Sequence, residues 1–235
     1  MTSTLALEVK GLQAWYGESH VLHGIDIKVN RGECVSLLGR NGAGRTSTLR
    51  AILGLTSRRT GQVRVHGHDV MPLQTHQIAR LGVGYCPEER AIYSSLSCEE
   101  NLTLPPVIRP GGMQLDEIYE LFPNLKERRK SQGTRLSGGE QQMLALARIL
   151  RTGVDILFLD EISEGLAPVI VERLAQVIET LKQRGYTILL VEQNFEFASE
   201  LAERLYVIEH GEVVSHIPAS EIALKHEELK ELLGI

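Results

Sequence analysis

Gly39-Arg40-Asn41-Gly42-Ala43-Gly44-Arg45-Thr46 has the spacing of a loop that wraps phosphate, GxxxxGK[ST], with Arg45 where lysine is usual. Glycines at those positions let successive backbone N–H groups close around phosphate oxygens, and a following helix adds its positive end. The Thr46 hydroxyl suits a Mg²⁺ ion that accompanies the phosphates. The same residues also suit a plain glycine-rich turn between strand and helix. A second stretch, Leu136-Ser137-Gly138-Gly139-Glu140-Gln141-Gln142, sets a serine and two glycines at a helix start, again an anion-binding arrangement. Third comes Asp160-Glu161, directly after the apolar run Ile156-Leu157-Phe158-Leu159. One carboxylate there can hold a Mg²⁺ shell and the next can orient water. Without the apolar run, an Asp-Glu pair is more often solvated charge.

These groups need elements that bring them together. Cys34 to Leu38 and Ile156 to Leu159 are short, nearly continuous apolar runs, the pattern of strands buried on both faces, and Ile188 to Val191 is a third. Period-two alternation marks strands at Leu5, Leu7 and Val9 and at Ile25, Ile27 and Val29, with shorter ones at Val63 and Val65 and at Val83 to Cys86. Helical spacing covers Thr46 to Leu55, Ser137 to Leu150, Val169 to Arg184 (closed by Gly185) and Phe195 to Arg204. Asn101 to Leu104 and Leu115 to Leu125 also read as helical, separated by a loop containing Pro105, Pro106, Pro110, Gly111 and Gly112. A last helix is expected over Pro218 to Leu233, too short for a regulatory domain. Strands alternating with helices imply a parallel sheet covered on both faces, and a strand tip at its carboxyl edge is where ligands bind. The helical stretch from about 91 to 152 is then an insert into that sheet.

The chain has 235 residues, 43% hydrophobic and 23% charged, which fits one globular domain and excludes disordered and collagen-like classes. The net charge is −5, with no basic stripe, so nucleic acid is not the suggested partner. Cys34, Cys86 and Cys98 form no metal or redox motif and read as reduced, partly buried small hydrophobes of a cytosolic protein. No basic-then-apolar leader opens the sequence, and no apolar stretch approaches the roughly 20 residues that span a bilayer.

Taken together, Leu136 to Gln142 and Ile156 to Glu161 resemble the signature sequence and the Walker B strand of the ATP-binding subunits of ABC transporters. The resemblance covers nearly the whole chain. Within that superfamily the wording Ser163-Glu164-Gly165-Leu166-Ala167-Pro168, Val191-Glu192-Gln193-Asn194 and Tyr85-Cys86-Pro87-Glu88 is similar to the branched-chain amino-acid uptake group. The resemblance implies a P-loop ATPase core with a mainly parallel sheet, an N-terminal antiparallel β subdomain and an inserted helical subdomain. It treats 1–235 as one ATP-binding domain, with 1–90 and 153–235 as the core and about 91–152 as the helical insert carrying the signature. It also implies ATP and Mg²⁺ as ligands. Tyr16 matches the aromatic residue that stacks on adenine, although a tyrosine at a strand end needs no ligand to explain it. Gly39 to Ser47 hold the phosphates; Thr46, Asp160 and Glu88 serve Mg²⁺; Glu161 is the general base and Gln193 its γ-phosphate-sensing neighbour. Ser137, Gly138 and Gly139 reach a nucleotide held by a second ATP-binding subunit, a sister chain or a second copy, in a sandwich dimer. The implied setting is the cytoplasmic face of the inner membrane, peripheral, with permease subunits as partners and an extracytoplasmic solute-binding protein acting indirectly.

The sequence departs from the superfamily pattern at Arg45 for lysine, Glu88 for glutamine, Gln193 for histidine, Ala167 for aspartate and Ile162 for proline. Glutamine donates a hydrogen bond but does not titrate near neutral pH. Arg45 leaves two readings open: phosphate binding with altered geometry, or a slowly hydrolysing, regulatory subunit. Two alternatives keep the ATPase and change its partner. One is a soluble ABC protein, disfavoured because a single signature is present and too little chain separates Thr46 from Ser137 for a coiled coil. The other is a lipid-export system, which shares the length.

Overall fold

The computed structural model describes residues 5–222 together with 224, 229 and 233. Strands β1 (Leu5–Tyr16), β2 (Ser19–Asn30), β4 (Arg58–Val65) and β5 (His68–Asp69) form an antiparallel sheet in the order β2-β1-β4-β5. Leu7 and Val9, then Leu12 and Ala14, are buried in β1: each pair follows period-two alternation, and an irregularity at Gly11 shifts the register between the pairs. The second sheet has six strands in the order β10-β9-β3-β8-β7-β6. Its members are β3 (Cys34–Leu38), β6 (Val83–Cys86), β7 (Ile156–Asp160), β8 (Thr187–Val191), β9 (Arg204–Glu209) and β10 (Glu212–Pro218). Strands β6, β7, β8, β3 and β9 run parallel, and β10 closes the edge antiparallel to β9.

The three apolar runs form the centre of this sheet and are buried at every position. Alternate side chains feed two separate cores. Val35, Leu37, Phe158, Leu189 and Val191 pack toward the antiparallel sheet and the first helix, α1 (Arg45–Ile52). Cys34, Leu38, Leu157, Leu159, Ile188 and Leu190 pack on the other face, against the later helices. Each such fully buried Leu or Phe contributes about 1.5–3 kcal/mol from burial. The remaining helices are α2 (Thr75–Arg80), α3 (Cys98–Thr103), α4 (Leu115–Leu121), α5 (Pro123–Glu127), α6 (Gly138–Leu150), α7 (Pro168–Gln183), α8 (Phe195–Leu201) and α9 (Ala219–Ile222). All three cysteines are free and buried. No helix among the described residues is long and apolar enough to cross a membrane.

Several boundaries differ from the sequence reading. The helix expected over Thr46 to Leu55 runs Arg45–Ile52, and the one expected at Asn101 to Leu104 runs Cys98–Thr103. Leu115 to Leu125 is two helices, because Pro123 cannot continue α4 and instead starts α5. The helix from Phe195 ends at Leu201, not Arg204, whose guanidinium forms an ion pair with Glu33 and helps hold β9 beside β3. Pro218 ends the edge strand β10 rather than opening a helix, and half of the expected C-terminal helix lies outside the described residues.

Candidate functional site

Strand β3 ends at Leu38, and Gly39 to Gly44 turn the chain into α1. Two glycines there are dictated by geometry. A Cβ on Gly39 would collide with the carbonyl of Ile208, and Gly44, the N-cap of α1, has φ +112°, which a side chain opposes. The β9–β10 turn braces the loop from behind: the Gly211 N–H donates to the Ala43 carbonyl at 2.8 Å. No side chain caps α1 and no acidic residue sits in its first turn, so its first N–H donors are left for an anion.

Arg45, the first residue of α1, is only 4% exposed. Its Nη2 donates to Asn41 Oδ1 at 3.1 Å and pairs with Glu161 Oε1 at 2.8 Å, while its Nη1 is buried with no hydrogen-bond partner. Thr46 Oγ1 donates to Asp160 Oδ1 at 2.8 Å, and the Tyr85 hydroxyl donates to Asp160 Oδ2 at the same distance. Residues 114 apart in sequence thus meet at the carboxyl edge of the sheet. Asn41 to Ser47 and Glu161 together line a cleft of about 120 Å³.

Electrostatically this edge is strained. Burial pushes the Asp160 carboxyl up, against the hydrogen bonds from Tyr85 and Thr46. Glu161 is pushed up to about 7, first by burial and then by Glu164, while Arg45 pulls the other way. Its backbone has φ +50°, rare for a residue with a side chain, and its N–H donates to the Val191 carbonyl. Glu88, Glu161 and Glu164 bring carboxylate oxygens within 4.8 Å of one another, so Glu88 sits with the glutamates, and Asp160 is not in that group. An all-oxygen donor set of a threonine hydroxyl and several carboxylates suits Mg²⁺.

Gln193 and Glu161 both line a second cleft of about 370 Å³, shared with Ser163, Glu164, Gly165 and Glu192. Tyr16 ends β1 near the loop: the Arg50 guanidinium of α1 lies beside the hydroxyls of Tyr85 and Tyr16, which raise its pKa. The neighbouring Trp15 has its ring covered by Arg58, 4.0 Å from the centroid, and by stacked His20 at 4.2 Å. Tyr16 is therefore the aromatic group of the pair without a stacked partner among these contacts.

The signature stretch is built differently. Ser137 caps α6, its Oγ accepting from the Glu140 N–H at 3.3 Å while Glu140 Oε2 accepts from the Ser137 N–H at 2.7 Å. Neither cleft includes Ser137, Gly138 or Gly139 in its lining.

Three residues of the site are not among those the sequence pattern points to: Tyr85, Glu164 and Glu192. Glu192 follows the buried β8 just as Asp160-Glu161 completes β7, a signal that was available. It is 1% exposed, pushed up to about 7 by burial, and accepts from the Ser163 N–H and Oγ at 3.0 and 2.8 Å.

The profile of the family described as "ABC transporter" matches residues 22–164. BraG of Pseudomonas aeruginosa, a high-affinity branched-chain amino acid transport ATP-binding protein, is 39% identical over 208 residues, covering 87% of this chain and 89% of its own length. LptB of Escherichia coli K12, a lipopolysaccharide export system ATP-binding protein, is 32% identical over 232 residues, covering 96% and 95%. Among solved structures, the ATP-binding cassette MJ0796, a dimer in a post-hydrolysis state with ADP and Pi, shares the fold with a TM-score of 0.79 at 22% identity, covering 91% of this chain and 98% of that one.

Proposed function

Because this chain belongs to the ABC transporter family, as one of its ATP-hydrolysing ATP-binding subunits, we propose that it powers an uptake system for branched-chain amino acids or similar small polar solutes. The observation that carries the ATPase chemistry is the meeting of Arg45, Thr46, Asp160 and Glu161 at one sheet edge, with the first turn of α1 open to an anion. The likeness to BraG, with the wording at Ser163 to Pro168 and at Gln193-Asn194, supports the solute class.

In this reading the N–H groups of Gly42 and of Gly44 to Ser47 and the Arg45 guanidinium bind the phosphates, the Ala43 N–H being taken by the Arg40 carbonyl, and Tyr16 stacks on the adenine. Thr46, Asp160 and Glu88 would hold Mg²⁺, which supplies charge neutralisation at the phosphates. Glu161 accepts a proton from the attacking water, and Gln193, lining the same cleft, donates a hydrogen bond toward the terminal phosphate. Ser137, Gly138 and Gly139 serve the nucleotide held by the second subunit, which fits their absence from the linings of the two clefts around Glu161. Residues 91–152 form the helical insert through which permease subunits at the cytoplasmic face of the membrane receive the closure. A solute-binding protein delivers the solute on the other side.

The test is to purify the tagged chain from its own cells in mild detergent and to measure uptake in cells lacking it. Recovery of a multispan permease and a second ATP-binding subunit, with ATP turnover and loss of branched-chain amino acid uptake on deletion, supports the proposal. The 32% likeness to LptB favours lipid export as the second reading. Unchanged uptake together with an outer-envelope defect would move the assignment there.

A further inference from the structure

The guanidinium of Arg45 is committed twice through one nitrogen and not at all through the other: Nη2 serves both Asn41 and Glu161, and Nη1 is buried with no partner. A buried donor left unpaired is unfavourable, and an acceptor entering the site would relieve that cost. The atoms that could fill it belong to whatever enters the cleft formed by Asn41 to Ser47 and Glu161, because Arg45 lines that cleft.

From the other side, Glu161 is held on a left-handed backbone, close to the carboxylates of Glu88 and Glu164. Arg45 is the cation in direct contact with it, at 2.8 Å. The ion pair is nearly dry, its side chains 3% and 12% exposed, so it cannot open by simple exposure to water. It opens by exchange, when a stronger anion takes the guanidinium.

We infer that Arg45 and Glu161 form a mutually exclusive pair: in the nucleotide-free chain the arginine holds the glutamate, and the phosphates of the nucleotide displace the glutamate from it. Arg45 is then a positioning residue for Glu161 as well as a phosphate ligand. Phosphate engages the planar fork bidentately through Nη1 and Nη2, which a carboxylate already seated on Nη2 prevents. The glutamate is consequently released toward water only once the phosphates are in place. A lysine, one ammonium on a flexible stem, lacks the second nitrogen that stands ready here. The inference rests on the proposed roles of Arg45 and Glu161 in nucleotide binding and hydrolysis, and its test reads binding rather than turnover.

Binding is read by equilibrium dialysis of the nucleotide, with the fluorescence of the single tryptophan, Trp15, beside Tyr16, followed in parallel. The full chain, at submicromolar concentration and pH 8 with excess Mg²⁺, is titrated with adenylyl imidodiphosphate as wild type, Glu161→Gln, Arg45→Gln and the double variant. Glu161→Gln should tighten binding about tenfold more in the wild-type background than in the Arg45→Gln background, since only with the arginine present does it free a held guanidinium. Equal gains in the two backgrounds, or a smaller gain with arginine, would mean that Glu161 merely repels phosphate, and would overturn the inference while leaving nucleotide binding intact. Failure of the wild type to bind the nucleotide would instead sink the underlying ATPase reading. Arg45→Met, which keeps the aliphatic stem without charge, replaces Arg45→Gln if the latter does not melt cooperatively, with the same pair of outcomes.

Discussion

Two helix starts in this molecule carry glycines beside a hydroxyl residue, and they are built in opposite ways. At α1 the N-cap is Gly44, with no side-chain cap and no acid in the first turn. At α6 the N-cap is Ser137, closed by a reciprocal capping box with Glu140. Their carboxylates differ in the same sense. Around α1, burial pushes Glu161 and Glu192 up to about 7, and Asp160 and Glu88 also stand above the usual range. At α6, burial would raise Glu140, but the amide and hydroxyl of Ser137, with Arg128, outweigh it and lower the pKa. One end is left unsatisfied and becomes comfortable only with a ligand, whereas the other is complete by itself. A helix start with glycines is thus not a uniform anion site, and what the side chains leave open decides where the first anion goes.

The largest effect should come from Glu161→Gln, which removes the proposed base. Turnover of the assembled complex should fall by roughly 10²–10⁴-fold with nucleotide binding retained, measured as phosphate release beside a binding titration. Residual turnover near the wild-type rate would place the base elsewhere. Next, Glu192→Gln tests the claim that the α1 end is strained. The folded pKa is about 7 against an ordinary 4.5, so the folded chain binds the extra proton between those values and its stability falls as pH rises from about 4.5 to 7. Glutamine can keep both Ser163 contacts and carries no charge, so it should raise stability above pH 7 by up to about 3 kcal/mol and do little at pH 4.5. Melting curves at the two pH values check this; a pH-independent difference would refute it. A third variant makes the two helix starts alike. Ser47 occupies the α1 position that Glu140 occupies in α6, three residues past the N-cap. Ser47→Glu should supply the missing carboxylate and weaken nucleotide affinity by about tenfold or more, with little change in melting temperature.

The sequence made the open end legible and concealed what supports it. Apolar runs of four or five residues marked β3, β7 and β8, and the residues that follow β3 and β7 were the chemical ones. The hairpin behind the loop is hidden in the sequence, because β9 begins at Arg204, where the helical spacing from Phe195 still runs. What fixes Arg204 in a strand is Glu33, far away in sequence, and no local pattern records that pairing. Most of β10 alternates between exposed and half-buried positions, leaving little core signal. Pro123 was a visible breaker within Leu115 to Leu125, and the helical spacing on either side masked it. The Arg45–Glu161 contact could not be read from spacing at all, since only the adjacency of β3 and β7 around β8 brings the two together.

The smallest expected effect tests the closed end. Ser137 has two separable duties, since its Oγ accepts from the Glu140 N–H and its hydroxyl proton, which serves the Glu140 carboxylate in the isolated chain, can turn to an acceptor on a second subunit. Ser137→Ala removes both. Loss of the cap should cost about 1 kcal/mol of stability, seen as a lowered melting temperature of the isolated chain. Affinity of that isolated chain for nucleotide should be unchanged, because α6 lines neither of its clefts. Turnover of the assembled pair should nevertheless drop, because in the proposed dimer this hydroxyl donates to the nucleotide on the other subunit. Ser137→Asp separates the two duties: aspartate caps a helix as well as serine does, but it brings a negative charge instead of a donor. Its melting temperature should match the wild type while turnover stays low. If Ser137→Asp restored turnover together with stability, the closed helix start would be a structural cap alone, and the contrast with α1 would be one of architecture rather than of function.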